Sequence, residues 1–166
     1  MMAAINTRVV RRSNALLGHA YGKRFRYSES MLFRGRVRGA AAAAGVSATM
    51  GAGFTALAMS RAARRWVATK LPSSGEGPSR EAREAGFFKL RMYGVLEGDA
   101  SATLLGRITG QGDPGYAATS RMLGESALCL ALDPLRSAGG VQTPSVAMGQ
   151  ALLDRLRHAG LVFAPS

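Results

Sequence analysis

A chain of 166 residues, 47% hydrophobic and 19% charged, holds enough apolar material for one folded domain and excludes wholesale disorder. It is too short for a nucleotide-binding domain and a separate substrate domain together. The net charge of +12 belongs to one half only: up to Lys70, 13 Lys or Arg residues stand against Glu29, and beyond it nine basic residues balance nine acidic ones, so an anionic surface is a partner for the N-terminal half alone.

Residues 1–38 form a basic segment in which Tyr21, Phe25, Tyr27 and Phe33 are interleaved with Lys23, Arg24, Arg26 and Arg34. Such interleaving suits single-stranded nucleic acid, through phosphate pairing and base stacking. No nucleic-acid-binding motif accompanies it, so nucleic acid ranks last among the partners, behind a surface that packs against another domain. Met1 to Thr7 lack the charged start and apolar run of a secretory signal, and a cytoplasmic setting is expected.

Residues 39–70 begin with 22 uncharged positions, Gly39 to Ser60, long enough to cross a hydrocarbon core but built from nine Ala and four Gly. Val46, Met50, Phe54 and Leu57 recur at steps of four, four and three, which predicts a helix with one apolar stripe. Three arrangements compete: a helix at a membrane interface, an Ala-rich core helix and a transmembrane span. The arginines at both ends, Arg34, Arg36 and Arg38 before and Arg61, Arg64 and Arg65 after, favour the first and oppose the third, because a span wants its positive charge at one end. Residues 8–70 are accordingly the candidate contact with an anionic membrane.

Residues 71–79 read as a Pro-, Gly- and Ser-rich linker, and residues 80–166 as an α+β domain. Ser79 caps a short helix ending at Gly86. Alternation over Phe87–Leu96 and Ser101–Thr109, with Glu97-Gly98-Asp99 between them, predicts an antiparallel β-hairpin. Two helices follow to cover this small sheet, one starting at Asp113-Pro114 and reaching about Leu132, the other running from Thr143-Pro144 to before Gly160. Leu161-Val162-Phe163 then adds a short strand.

Little of this carries recognisable chemistry. Cys129 is the only cysteine and reads as a buried hydrophobe, and His19 and His158 lack spaced carboxylates, so no metal site is expected. Gly51-Ala52-Gly53 with Ala56 is the nearest approach to a dinucleotide fingerprint, but no β-branched strand precedes it and the next acid is Glu76. No cofactor-binding residue is therefore assigned. The loop from Gly110 to Tyr116 joins a strand to a helix start and either offers N–H groups to an anionic ligand or merely lets Asp113 cap the helix, and the second accounts for Asp113 and Pro114 together. Asp113, Tyr116 and Glu125 are the candidate site-lining residues, with no catalytic residue identified.

The string from Gly112 to Ala131, followed by Gly139 to Pro144 and Ala147-Met148-Gly149, resembles the C-terminal end of saccharopine dehydrogenase-like oxidoreductases, a group that includes the trans-acting enoyl reductases of bacterial lipid synthesis. Val10-Arg11-Arg12-Ser13-Asn14, Tyr21-Gly22, Phe25-Arg26-Tyr27 and Gly75 to Ser79 are similar to the same family, in order. The resemblance implies that a Rossmann domain binding NAD(P) comes first in the family and is absent here. It further implies that these residues form the substrate and interaction domain, with redox chemistry supplied by a missing nucleotide-binding domain or a partner chain, and that NAD(P) does not bind this chain alone.

Overall fold

A computed structural model describes residues 3–33, 35–70 and 76–165, with the side chains of 100–102 left aside. The elements in chain order are α1 (Ala3–Leu16), α2 (Arg36–Met59), α3 (Arg61–Ala68), α4 (Arg80–Ala85), β1 (Phe87–Leu96), β2 (Asp99–Gln111), α5 (Ala117–Leu132), α6 (Pro144–Ala147), α7 (Gly149–His158) and β3 (Val162–Pro165). They divide into two compact units, residues 1–27 with 78–166, and residues 28–77. This division does not follow the sequence boundaries at 38, 70 and 79. Its cause is α1, whose Ser13 hydroxyl lies 2.7 Å from that of Thr143 and ties the N-terminus to the C-terminal half. Of the expected linker, residues 71–75 lie outside the described residues.

The first unit is α+β, as the sequence indicates, and its sheet is antiparallel in the order β1-β2-β3. The hairpin turns at Glu97-Gly98, where Gly98 takes φ +90 and so spares a side chain the strain of left-handed backbone. Phe88 lies directly opposite Gly110, and Met92 opposite Gly106. Both side chains lean over the facing glycine: a Cβ at Gly110 would come 2.5 Å from the Phe88 ring, and one at Gly106 3.0 Å from the Met92 methyl. On the other face Arg91 stands opposite Arg107. β1 forms one edge of the sheet, paired with β2 alone among the described residues.

Two helix starts differ from expectation. α5 begins at Ala117 rather than at Pro114, because the Asp113 carboxylate gathers the N–H groups of Gly115, Tyr116 and Ala117 into a separate turn ahead of the helix. The second predicted helix is broken into α6 and α7 at Met148-Gly149, where Gly149 adopts φ +47. Thr143 precedes Pro144 at the start of α6 without a side-chain cap, its hydroxyl being engaged with Ser13. α7 ends as the sequence suggests: Gly160 at φ +91 lets the N–H of Leu161 reach the carbonyl of Leu156 and that of Gly160 reach Arg157. Leu161 is thereby buried as the chain enters β3.

Apolar burial is scant. Among the described residues only Ala118, Cys129, Met148 and Leu161 are buried hydrophobics, while Leu90, Met92, Tyr93, Val95 and Leu104 are exposed on the two sheet faces. The helices thus join the sheet at its Gln111 end instead of covering it. The chain exposes 13051 Å², whereas two separate globules of the sizes of these units would expose about 9,300 Å².

Gly86 ends α4 at φ −66, not in the left-handed region, and its role is close approach: a Cβ there would lie 2.6 Å from the backbone of Asp113. Gly86→Ala is expected to cost about 2 kcal/mol by overpacking. Gly124 sits within α5 with nothing inside 4 Å of its absent Cβ, so Gly124→Ala should gain up to about 1 kcal/mol. Urea unfolding midpoints of the two variants should move in opposite directions.

Candidate functional site

The three residues singled out from the sequence occupy two places. Asp113 and Tyr116 lie in the loop between β2 and α5, and Glu125 lies within α5, roughly 12 Å along the helix axis from its first turn. The loop is closed on itself. Gly112 N–H donates to the Gly86 carbonyl at 2.8 Å, Asp113 N–H to the Arg83 carbonyl at 2.8 Å, and Ala118 N–H to the Asp113 carbonyl at 3.0 Å. The N–H groups of Gly115, Tyr116 and Ala117 all donate to the Asp113 carboxylate, at 3.0, 2.9 and 2.9 Å. The backbone donors that an anionic ligand would need are thus taken by an anion of the chain's own. The N–H of Ala117 is the main cause of an Asp113 pKa held below the usual carboxylate range. Tyr116 extends its side chain into solvent beside this loop.

Glu125 belongs to a second cluster, which joins α5 to α7. Ala118, Met122, Glu125 and Cys129 recur at steps of four, three and four along the covered side of α5. Arg155 of α7 meets the carboxylate of Asp133, the residue capping α5, through two parallel hydrogen bonds: Nε to Oδ2 at 2.6 Å and Nη2 to Oδ1 at 2.7 Å. Its Nη1 reaches Glu125 Oε2 at 3.5 Å. Arg155, Asp133 and Glu125 retain only 25%, 21% and 25% of their side-chain exposure. The guanidinium holds Asp133 below the usual range, while burial, aided by a hydrogen bond to Asp133, pushes the Cys129 thiol up. A protonated, fully buried thiol between two helices is an inert packing group.

The sequence gives no sign of the Arg155 and Asp133 pairing, because the partners are 22 residues apart and Asp133-Pro134 reads simply as a helix stop. Ser13 and Asn14 are likewise inconspicuous in a basic segment. Ser13 is buried against Thr143 and Ser145, at 2.7 and 3.1 Å. Asn14 is buried as well; its Nδ2 donates to the Gly22 carbonyl at 3.0 Å, and its Oδ1 accepts from Tyr21 N–H at 2.9 Å. The loop so fixed presents Tyr21 and Phe25, with ring centroids 5.4 Å apart. Together with Lys23, Arg24 and Arg26 they form one wall of a groove of about 590 Å³, whose other wall is Tyr93 to Glu97 of the hairpin. Arg24 spans it to Glu97 at 3.2 Å. An open groove of aromatic, aliphatic and cationic groups suits an apolar ligand with an anionic end.

Gly51-Ala52-Gly53 lies inside α2, where the backbone is helical and the Gly51 carbonyl also accepts from Thr55 Oγ1 at 2.9 Å. A pyrophosphate needs a turn with free N–H groups ahead of a helix, so these residues do not fit a dinucleotide. Among the described residues no cluster of three or more His, Cys, Asp or Glu is placed to hold a metal ion.

Comparison with known sequences gives a consistent set of relatives. The chain is 45% identical over 171 residues to a protein of Mycobacterium tuberculosis (strain ATCC 25618 / H37Rv) named as a trans-acting enoyl reductase, across 97% of this chain and 39% of that protein. It is 42% identical to the trans-acting enoyl reductase of Mycobacterium ulcerans (strain Agy99), with coverage of 95% and 38%. For that of Mycobacterium bovis (strain BCG / Pasteur 1173P2) the identity is 41%, with coverage of 98% and 39%. The chain spans about two-fifths of the length of these relatives. No family model matches it, and no solved structure matches it.

Two outcomes follow from the carboxylates and the thiol. A carboxyl group whose pKa is depressed by folding adds stability that is fully present above its unfolded value, about 3.9 for Asp, and is lost as pH falls through the folded value. Stability should therefore hold at neutral pH and decline in acid below that value, and Asp133→Asn should make the acid decline shallower. Arg155→Met should lower the urea midpoint and speed labelling of Cys129 by a thiol reagent severalfold, by loosening α7 from α5.

Proposed function

We propose that this chain is the C-terminal, substrate- and interaction-bearing part of a saccharopine dehydrogenase-like, NAD(P)-dependent enoyl reductase of lipid metabolism, and that it does not turn over alone. The observation that carries this reading is similarity at 41–45% identity, over nearly the whole chain, to proteins named trans-acting enoyl reductase. Two physical facts support it. The hairpin exposes Leu90, Met92, Tyr93, Val95 and Leu104, apolar surface of the kind that a neighbouring domain covers. The Gly51-Ala52-Gly53 run is helical, and beside the other glycine-rich stretch, Gly110-Gln111-Gly112-Asp113-Pro114-Gly115, the N–H groups of Gly115, Tyr116 and Ala117 already donate to the Asp113 carboxylate.

In this reading the hydride comes from a nicotinamide held by other residues, and the groove between Tyr21–Arg26 and Tyr93–Glu97 is the surface facing the acyl substrate or the nucleotide domain. Asp113 is a structural anion ahead of α5, and neither it nor Tyr116 nor Glu125 lines the groove.

Titration of the 166-residue chain with NADPH is expected to give no saturable change in nicotinamide fluorescence; saturable binding would overturn the reading. A chimera of the M. tuberculosis relative carrying residues 1–166 in place of its matching segment should keep its enoyl reduction within about tenfold, a change of about 1.4 kcal/mol in the barrier. A soluble, folded but inactive chimera would count against it.

A further inference from the structure

We propose that residues 36–68 dock the protein on an anionic lipid surface, lying in the headgroup region and not crossing the bilayer. The proposal is independent of the enzymatic reading and rests on the second compact unit. α2 is long and apolar enough to span a membrane, yet none of its most apolar window is buried within the structure. Its large side chains are few: Val46, Met50, Phe54 and Leu57 share one face, and Phe54 is 65% exposed. The other side carries Gly45, Ala48, Ala52 and Ala56. Two of its polar groups are satisfied internally, the Thr49 and Thr55 hydroxyls donating to the carbonyls of Gly45 and Gly51 at 2.8 and 2.9 Å. Between Arg38 and Arg61 α2 carries no charged side chain, so it offers apolar contact only, and the amphipathic element of this unit is α3.

α3 gives the arrangement its direction. Ser60 leaves the helical conformation at φ −123 and ψ 118, ending α2, and its hydroxyl accepts from Ala63 N–H at 3.2 Å to start α3. At helical spacing Arg61, Arg64 and Arg65 fall on one side, and Ala62, Ala63, Trp66 and Val67 on the other. Arg64 Nη1 donates to the Leu57 and Ala58 carbonyls at 2.5 and 3.2 Å, fixing the α2–α3 joint. Arg36 and Arg38 bring further positive charge to the opposite end of α2. Cations at both ends complement a negative headgroup layer, whereas a span favours one end only. Trp66, 65% exposed beside these arginines, has the amphipathic ring that settles at such a boundary.

Trp66 is the only tryptophan of the chain and reports on its own surroundings. The test is its emission during titration with vesicles of phosphatidylcholine, alone or mixed with phosphatidylglycerol. A blue shift is expected with the anionic vesicles only, with quenching by lipids brominated near the headgroup and reversal at raised salt. Arg61→Glu/Arg65→Glu, which leaves the Arg64 joint in place, should abolish the shift without loss of helical circular dichroism, and Arg61→Lys/Arg65→Lys should retain it. Absence of any shift with anionic vesicles at low salt would overturn the proposal. So would a shift indifferent to salt and to the Glu variant, or quenching from the bilayer centre with resistance to alkaline extraction, which marks a span. A shift that grows with protein concentration without vesicles would assign the face to a second copy. Retardation by a single-stranded oligonucleotide with no vesicle response would assign it to nucleic acid.

Discussion

Arg155 grips Asp133 with two parallel hydrogen bonds and leans on Glu125, and through that grip α7 stays against α5. So much depends on one guanidinium because buried apolar side chains are few: among the described residues they are Ala118, Cys129, Met148 and Leu161. Where apolar burial is scarce, directional bonds between charged groups carry a larger share of the cohesion, and they also fix a single register. The same pattern recurs across the first unit. Ser13, Thr143 and Ser145 share hydroxyl bonds between α1 and α6, and Asp113 binds three backbone donors where the sheet meets α5.

These polar joints explain how the first unit holds together while leaving much of its hairpin bare. β2 hands the chain to α5 through a loop wedged against Gly86, a contact tolerant of no side chain, and so the sheet is anchored at one end. Toward the turn, Tyr93, Val95 and Leu104 stay largely exposed. A surface of this kind is stable when something else lies on it, which agrees with a chain related to proteins more than twice its length.

The sequence conveys the regular parts well. Alternation marks β1 to the residue, Gly98 marks the turn, and Gly160 marks the end of α7 through its left-handed backbone. Local signals fail where a side chain has a choice of partners. Asp113 and Thr143 both precede proline and read as caps; Asp113 instead builds a turn ahead of its helix, and Thr143 turns to a serine 130 residues away. The break at Gly149 is hidden for a similar reason, since Gly inside a helical pattern is ordinarily only a weak point. Of the candidate site residues, Asp113 and Tyr116 fall together in one loop while Glu125 falls in the Arg155 cluster. The groove beside Tyr93 was not legible at all, because it needs the loop after α1 and the hairpin to meet.

The open edge of β1 has a consequence for handling the isolated polypeptide. Its outward row of N–H and C=O groups is a ready ladder for a foreign strand, and apolar side chains on both faces would reward such stacking. Lys89, Arg91 and Arg107 crowd one face of that hairpin, with the two arginines directly opposed. Their mutual repulsion is the guard against fibre growth, and it is a guard that dissolved electrolyte wears down. Concentrated, salty stocks are where this chain is least protected from itself.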